Sequence, residues 1–490
     1  MNTLQVDVAI IGAGTAGMSA YRAALAHTPS VLVIEGGPYG TTCARVGCMP
    51  SKLLIAAAEA AHSAAHAAAF GVHAAPVRID GRAVMQRVRD ERDRFVGFVT
   101  DAVDHWPEQH RLRGQARFVD DHTLEVASAT GEPTRVNAAR IVIATGSRPH
   151  VNPAWRSAIG ERLIVNDDVF DWSDLPESVA VLGAGVVALE LAQALHRLGV
   201  RVRLYARGAR LGPLTDPALQ AKTLAIFRRE LALLMNAGEV KLSLVSDNAA
   251  EGAGTHRGRV QVQAGSDVQR FDCVLAGSGR TPNVQGLGLE RTALPLNFDG
   301  VPVFDRRTGQ IGTSAVFIAG DANDEFALLH EAADEGRIAG DNAGRFPDVR
   351  VRPRRAPLAV VFSDPQIMIA GQSHAALQRA GTAFETGEAS FDDQGRSRVM
   401  LKNRGLIHVY AERESGRFLG AEMVGPAAEH IGHLLAWSVQ RGDTVQQMLD
   451  SPFYHPVIEE GLRTALRHLQ RALRMGPVPV ERCLDCGPGA

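Results

Sequence analysis

The chain has 490 residues with 52 basic against 54 acidic side chains, a formal net charge of −2 that argues against nucleic acid or another polyanion as partner. On a prior of roughly 150 residues per domain, this length predicts about three domains and several buried cores. The first residues, Met1-Asn-Thr-Leu-Gln-Val-Asp7, lack a basic segment followed by an apolar stretch and a cleavage site, and no uninterrupted apolar run of about 20 residues is visible, so a cytoplasmic chain without a membrane partner is expected.

The chain opens with an apolar run from Val6 to Ile11, then Gly12-Ala-Gly14-Thr-Ala16-Gly17, then a second apolar run, Val31-Leu-Val-Ile-Glu35, closing on an acid. A strand, a glycine turn and a helix in that order suit a dinucleotide, because the glycines let the backbone approach a pyrophosphate that the helix N-terminus binds. Next comes Cys43-Ala-Arg-Val-Gly-Cys48, running into Met49-Pro50-Ser51-Lys52 and an alanine-rich helical segment from Leu53 to Phe70. A cysteine near a helix start gains thiolate character, and the cytoplasm rarely holds structural disulfides, so with only five cysteines in the chain this pair reads as a redox disulfide. Half of a metal site is the alternative, and no second ligand pair with zinc spacing lies nearby. The alanine-rich segment offers a low-bulk apolar wall, with His62 and His66 expected on the helix surface.

Arg140-Ile-Val-Ile-Ala-Thr145-Gly146-Ser-Arg-Pro149 ends the first block as an apolar strand stopped by a glycine turn. The strand–glycine–helix pattern then recurs: Ser178-Val-Ala-Val-Leu182, Gly183-Ala-Gly185-Val186-Val187-Ala188-Leu-Glu190, a helix to Gly199 and a strand from Val200 to Tyr205. Two copies predict two nucleotide sites. Cys273 to Asn283, with Gly279, echoes the end of the first block, and Cys273 itself reads as buried core. Val316-Phe-Ile-Ala-Gly320-Asp321 is a strand ending on an acid, and a helix starts near Leu328. From about Val351 the texture changes to alternating strands such as Leu406–Tyr410 and amphipathic helices without a phosphate loop, an interaction domain.

Together these motifs, with His455-Pro456, resemble the flavoprotein disulfide reductases, the class I pyridine nucleotide-disulfide oxidoreductases that include dihydrolipoamide dehydrogenase, glutathione reductase and mercuric reductase. The resemblance implies an α/β chain with two Rossmann-like domains, for FAD and NAD(P), plus a C-terminal α+β dimerisation domain. The implied boundaries are 1–150 with 285–350 for FAD, 151–284 for NAD(P)H, 351–475 for dimerisation and a flexible tail at 476–490. It implies FAD contacts at Gly12, Gly14, Ala16, Gly17, Thr42, Lys52, Thr145, Gly146, Gly320, Ala327, Leu328, Leu329 and His330, with Glu35 on the ribose and Asp321 near the ribityl chain. The second nucleotide falls to Gly183, Gly185, Val186, Val187, Glu190, Arg207, Arg210 and Gly279. Cys43 matches the interchange thiol that meets substrate, Cys48 the thiol at the flavin, and Lys52 and Glu190 an ion pair beside it. His455 matches the acid–base group, oriented by Glu460 and acting on the redox pair of the other subunit, so a homodimer is implied. Hydride from the nicotinamide would pass by way of FAD to the Cys43–Cys48 disulfide, and Cys43 would then attack a small-molecule or protein disulfide.

Two positions depart from the family pattern. Tyr205 is followed by Ala206 and Arg207, with Arg210 close behind, where an acid for NAD is usual, so NADPH is favoured over NADH. Thr41 stands where glycine is frequent. The C-terminus, Val480-Glu-Arg-Cys483-Leu-Asp-Cys486-Gly-Pro-Gly-Ala490, adds a second cysteine pair that suits a relay to substrate, half of a metal site or incidental thiols. Four readings result: an NADPH-driven disulfide reductase, a dihydrolipoamide dehydrogenase using NAD, a mercuric reductase, and a redox-sensing flavoprotein without turnover.

Overall fold

The computed structural model describes residues 2–73, 75–128, 131–245 and 259–476. In chain order the first block is β1 (Asn2–Ile11), α1 (Thr15–Ala24), β2 (Val31–Glu35), α2 (Thr42–Val46), α3 (Cys48–His66), α4 (Gly81–Asp104), β3 (Arg111–Arg113), β4 (Gln115–Asp120), β5 (Thr123–Ala127) and β6 (Thr134–Ile143). They form a sheet in the order β3-β2-β1-β6-β5-β4, parallel from β3 to β6 and antiparallel beyond. Val8 to Ile11 and Val31 to Ile34 are buried on both faces, which is why these strands read as continuous apolar runs rather than alternating ones.

The second block is β7 (Ser147–Pro149), α5 (Pro153–Ile159), β8 (Leu163–Ile164), α6 (Asn166–Val169), β9 (Ser178–Leu182), α7 (Val186–Arg197), β10 (Arg201–Tyr205), α8 (Pro217–Phe227), β11 (Ala232–Leu234), β12 (Val240–Val245), β13 (Arg259–Ala264), β14 (Asp267–Phe271), β15 (Cys273–Ala276) and β16 (Arg280–Pro282). A parallel sheet, β11-β10-β9-β15-β8, carries the antiparallel β12-β13-β14 beside it. The two segments that echo one another in sequence each stop short at the glycine turn, and the residues past the turn pair with each other, β7 antiparallel to β16. The chain thus leaves the first sheet and returns to it along adjacent strands. After the return, β17 (Val316–Ile318) pairs parallel with β6, and α9 (Leu329–Arg345) packs on α1.

The third block is β18 (Leu358–Val361), β19 (Gln366–Gly371), α10 (His374–Arg379), β20 (Phe384–Ser390), α11 (Gly395–Val399), β21 (Leu406–Glu412), β22 (Phe418–Gly425), α12 (Ala428–Arg441), α13 (Val445–Leu449) and α14 (Glu459–Leu473). Its sheet, β18-β19-β22-β21-β20, is antiparallel, and α12 and α14 share one core with it. Residues 42–70 are long and apolar enough to cross a bilayer by length and composition alone. Alanine supplies much of that character, and Leu54, Ile55 and Ala58 pack into a core with α4 and α7.

The α1–α9 crossing is the tightest joint near the first glycine loop. A Cβ on Gly336 would stand 2.1 Å from the Ala16 carbonyl oxygen, and one on Gly340 2.2 Å from that of Ala20. Gly336→Ala or Gly340→Ala therefore costs about 1–3 kcal/mol. Gly97→Ala, in α4 with open space around it, gains about 0.5–1 kcal/mol by the same chemical change. Urea-unfolding midpoints of the three variants decide the matter, and equal shifts would contradict this account of the crossing.

Candidate active site

The redox cysteines sit where two helices meet. Cys43 lies in α2, Gly47 breaks the helical path, and Cys48 is the first residue of α3. Thr41 starts α2 at φ 57° and ψ 151°, a backbone region costing about 1–3 kcal/mol for a residue other than glycine. Its hydroxyl recovers part of that by accepting from Ala44 N at 3.2 Å. Both cysteines are free thiols here. They share a hydrogen bond that divides them: Cys43 donating to Cys48, with help from Lys52, brings Cys48 down to about 7. The same bond pushes Cys43 up, followed by burial and the charge on Cys48. The pair thus titrates as a unit whose first proton leaves Cys48. Cys273 is a different kind of thiol, pushed up to about 12 by burial in β15.

Lys52 Nζ donates to Glu190 Oε2 at 2.8 Å, joining α3 to α7. Glu190 is buried, its Oε1 accepts from Phe362 N at 2.8 Å, and the Lys52 ammonium lies over the Phe362 ring, 4.7 Å from its centroid. The expected pair is therefore brought together, with a third partner that the local sequence did not announce. On the same helix as Lys52, His66 is exposed as expected, whereas His62 is half-buried and lowered to about 4, chiefly by desolvation and then by Arg197.

The two glycine loops share one backbone solution. Gly12 (φ 107°) and Gly183 (φ 131°) each pass a carbonyl that a Cβ would strike, Ala144 O at 2.3 Å and Gly277 O at 2.2 Å. Gly14 and Gly185 begin α1 and α7 with no side-chain cap and open space where a Cβ would be. In the first loop Gly17 lies against the Gly12 carbonyl. In the second Ala188 takes that place, and Gly277, directly after β15, leaves room for it. Glu35 Oε2 accepts from Ala13 N at 2.8 Å and Oε1 from Gly37 N at 2.6 Å, which aims the acid at the first loop. Val186 and Val187 are partly exposed on the first turn of α7, and Arg207 and Arg210 are exposed in the loop after β10. Tyr205 is buried and donates to Asp267 Oδ2 at 3.1 Å, so the acid near that strand end is already engaged.

A cavity of about 250 Å³ lies beside Asp321, lined by Ser147, Arg280, Pro282, Asp324, Glu325 and Ala327. Ser147 Oγ donates to Asp321 Oδ2 at 2.6 Å, and Arg280 Nε donates to Ser147 Oγ at 2.7 Å. The Gly320–Asp321 turn is held from behind by Glu335, whose Oε2 accepts from Gly320 N at 2.8 Å and Asn323 Nδ2 at 2.7 Å. Ser147, Arg280 and Glu335 were missed; the first two stand inside the runs quoted for their glycines, and a serine and an arginine each directly after a turn glycine were the available signal. Thr145 Oγ1 is buried without a hydrogen-bond partner, an orphan at the mouth of the first loop. The glycine cradle, that orphan and the cavity fit a dinucleotide cofactor along the first sheet. Leu328, Leu329 and His330 stand at the start of α9, with Leu329 exposed.

His455 and Glu460 meet in the third block: Nδ1 lies 3.0 Å from Oε2, Glu460 is buried, and Arg463 Nη2 also donates to it at 2.9 Å. A carboxylate on Nδ1 fixes the tautomer with Nε2 as the basic nitrogen. Cys483 and Cys486 lie outside the described residues.

In flavin-free reduced protein, alkylation of Cys48 should rise with pH through a midpoint near 7, because the thiolate is the reactive form. Lys52→Met should move that midpoint upward by removing a positive charge that favours the thiolate. A downward shift, or Cys43 reacting first, would contradict this ordering of the thiols.

The sequence profile of the pyridine nucleotide-disulphide oxidoreductases matches residues 6–336, and that of the family's dimerisation domain matches 358–466. A mercuric reductase of Acidithiobacillus ferrooxidans is 31% identical over 484 residues, covering 96% of this chain and 84% of the relative. A dihydrolipoyl dehydrogenase of Pseudomonas aeruginosa is 30% identical over 488 residues, covering 96% and 99%. Among solved structures, LpdA of Mycobacterium tuberculosis superposes with a TM-score of 0.79 at 24% identity, covering 95% of this chain and all (100%) of that one. The HOCl-induced flavoprotein disulfide reductase RclA of Escherichia coli, as its Cu(II) complex, gives 0.77 at 22% identity, covering 95% and 99%. With both profiles spanning most of its length and the two glycine loops flanking a dithiol, this chain belongs to the pyridine nucleotide-disulphide oxidoreductases, a family of flavoprotein enzymes.

Proposed function

We propose that the protein is an NADPH-dependent disulfide reductase in which Cys43 exchanges with a small-molecule or protein disulfide. The observation that carries this reading is the asymmetric dithiol: one thiol ionised near neutrality beside Lys52, the other held protonated until a base reaches it. Bound FAD, held by the first glycine loop, Glu35, Thr145 and the cavity at Asp321, would supply the two-electron chemistry linking the nicotinamide to the dithiol. His455 of a second copy, oriented by Glu460, takes the Cys43 proton. The Cys43 thiolate attacks one sulfur of the substrate disulfide, forming a mixed disulfide, and the leaving thiolate takes that proton back. Cys48 then attacks Cys43 Sγ, releases the second thiolate, which takes a proton from solvent, and re-forms the internal disulfide. The family's dimerisation domain at 358–466 supports the shared site.

NADPH is favoured because β10 ends on a buried tyrosine whose hydroxyl is bound to Asp267, while two exposed arginines follow. A second reading, reduction of a thiophilic metal ion, has support in the mercuric reductase relatives and in the Cys483/Cys486 pair of the sequence. On this second reading the tail pair would act as the relay to the metal ion.

Anaerobic mixing of the flavoprotein with NADPH and NADH, followed by a panel of disulfides and Hg(II), tests the proposal. Fast reduction by NADPH with reoxidation by one disulfide supports it; reoxidation by Hg(II) alone supports the second reading; preference for NADH with turnover of lipoamide replaces both. Cys43→Ser should keep flavin reduction by NADPH yet lose disulfide turnover by at least about a thousandfold, because the nucleophile is gone. Arg207→Ala should raise the KM for NADPH about tenfold and leave that for NADH unchanged, the worth of one lost charge-assisted hydrogen bond. Equal effects on both nucleotides would remove the arginine from the specificity argument.

A further inference from the structure

The sheet of the third block has two unlike faces. Ile407, Val409, Ala411, Ala421 and Met423 enter the core with α12 and α14. The alternate positions His408, Tyr410 and Glu422 project to the other side, as the period of a strand requires. That side meets the loop between β10 and α8, where Leu211, Leu214 and Leu219 pack with Val361, Ile367 and Val424.

Glu422 is fully buried and receives four donors. Its Oε2 accepts from Thr215 N at 2.6 Å and Asp216 N at 3.1 Å; its Oε1 accepts from the Thr215 hydroxyl and from His374 N at 2.8 Å. Asp216 caps α8 through Ala218 N at 2.9 Å and is held in turn by His408 Nδ1 at 2.8 Å and Tyr410 OH at 3.2 Å. Within the loop, Gln220 ties Leu211 N and Leu214 O to α8, and Gly212 N donates to Ala184 O at 2.8 Å. Ala184 is the middle residue of Gly183-Ala184-Gly185. A path of hydrogen bonds and backbone thus runs from one carboxylate in the third block through residues 211–216 to the second glycine loop.

We infer that Glu422 is a positioning residue for the pyridine nucleotide: it sets the height of the 211–216 segment and, through Gly212, of the glycine loop, without touching the nucleotide. The inference rests on the reading that the nucleotide binds over Gly183–Gly185. Only a carboxylate accepts four donors while bringing none of its own. In Glu422→Gln the amide NH2 faces the Thr215 and Asp216 N–H groups in one orientation and the His374 N–H in the other, where the Thr215 hydroxyl can turn to accept, so at least one buried N–H loses its acceptor.

The test is anaerobic flavin reduction of the full-length flavoprotein at increasing NADPH, which separates the Kd for NADPH from the limiting rate. In Glu422→Gln the Kd should rise at least about tenfold. The limiting rate and the reoxidation of reduced protein by disulfide should stay within about twofold, since neither the dithiol nor the flavin site is touched. Unchanged Kd overturns the inference, as does a parallel fall of all three with loss of bound flavin, the mark of a merely structural role. Where Glu422→Gln cannot be purified, Thr215→Ala removes the hydroxyl that donates to Glu422 and accepts from Ala375 N, and keeps the carboxylate. It should raise the Kd about threefold and nothing else, and an unchanged Kd there is equally fatal. A wild-type flavin reduced by neither nucleotide overturns the nucleotide reading itself, an outcome distinguishable from failure of the Glu422 role.

Discussion

One carboxylate holds the three parts of the chain together beside the dithiol. Glu190, buried on α7 of the second block, takes Lys52 of α3 on one oxygen and the Phe362 backbone, just past β18 of the third block, on the other. Removing Lys52 would leave the buried Glu190 carboxylate without its cation, a loss moderated by the partial exposure of the ammonium. Because Cys48 stands only one helical turn before Lys52, the contact that docks the blocks also sets the electrostatic environment of the redox pair. Docking and chemistry share a residue.

The same economy governs the two nucleotide loops. Each needs a close backbone approach at its first glycine and open space at its second, and both obtain it from the same strand–turn–helix geometry. They differ in how the surroundings complete them. The first is closed by Gly17 and served by Glu35, whose two oxygens are aligned by Ala13 N and Gly37 N. The second is closed by Ala188 against Gly277, and the acid in its neighbourhood, Asp267, is occupied by Tyr205 and Arg203. Arg207 and Arg210 follow that strand end, exposed.

Buried acids recur as organisers of backbone. Glu335 holds the Gly320–Asp321 turn and is answered by Arg354 at 2.8 Å, an arginine from the connection that leads into the third block. Glu422 does the corresponding task for the loop before α8. In both cases the carboxylate accepts backbone N–H groups of a short segment, a 3-10 turn at Gly320–Asn323 and the approach to α8 at Thr215 and Asp216. A charge that would be costly to bury alone becomes the element that gives an irregular loop a single conformation.

The features legible in the amino-acid sequence were those whose physics is local. The glycine spacing at 12–17 and 183–188 dictates a turn wherever it occurs after an apolar run, cysteines five apart across a helix start are close in any fold, and His455 reaches Glu460 within a single turn and the start of α14. The family resemblance extended this to Lys52 with Glu190. What stayed hidden were partners such as Phe362 N for Glu190, Arg280 for Ser147, and Thr215 for Glu422, which lie between about 130 and 210 residues apart. An ordinary glutamate in an amphipathic strand looks the same whether its side chain meets solvent or four backbone donors. The sequence by itself therefore determined the strand and helix periods, the phosphate turns and the dithiol. Only the tertiary structure decided which acids are buried and whom they hold, because that depends on which surfaces the packed sheets bring face to face.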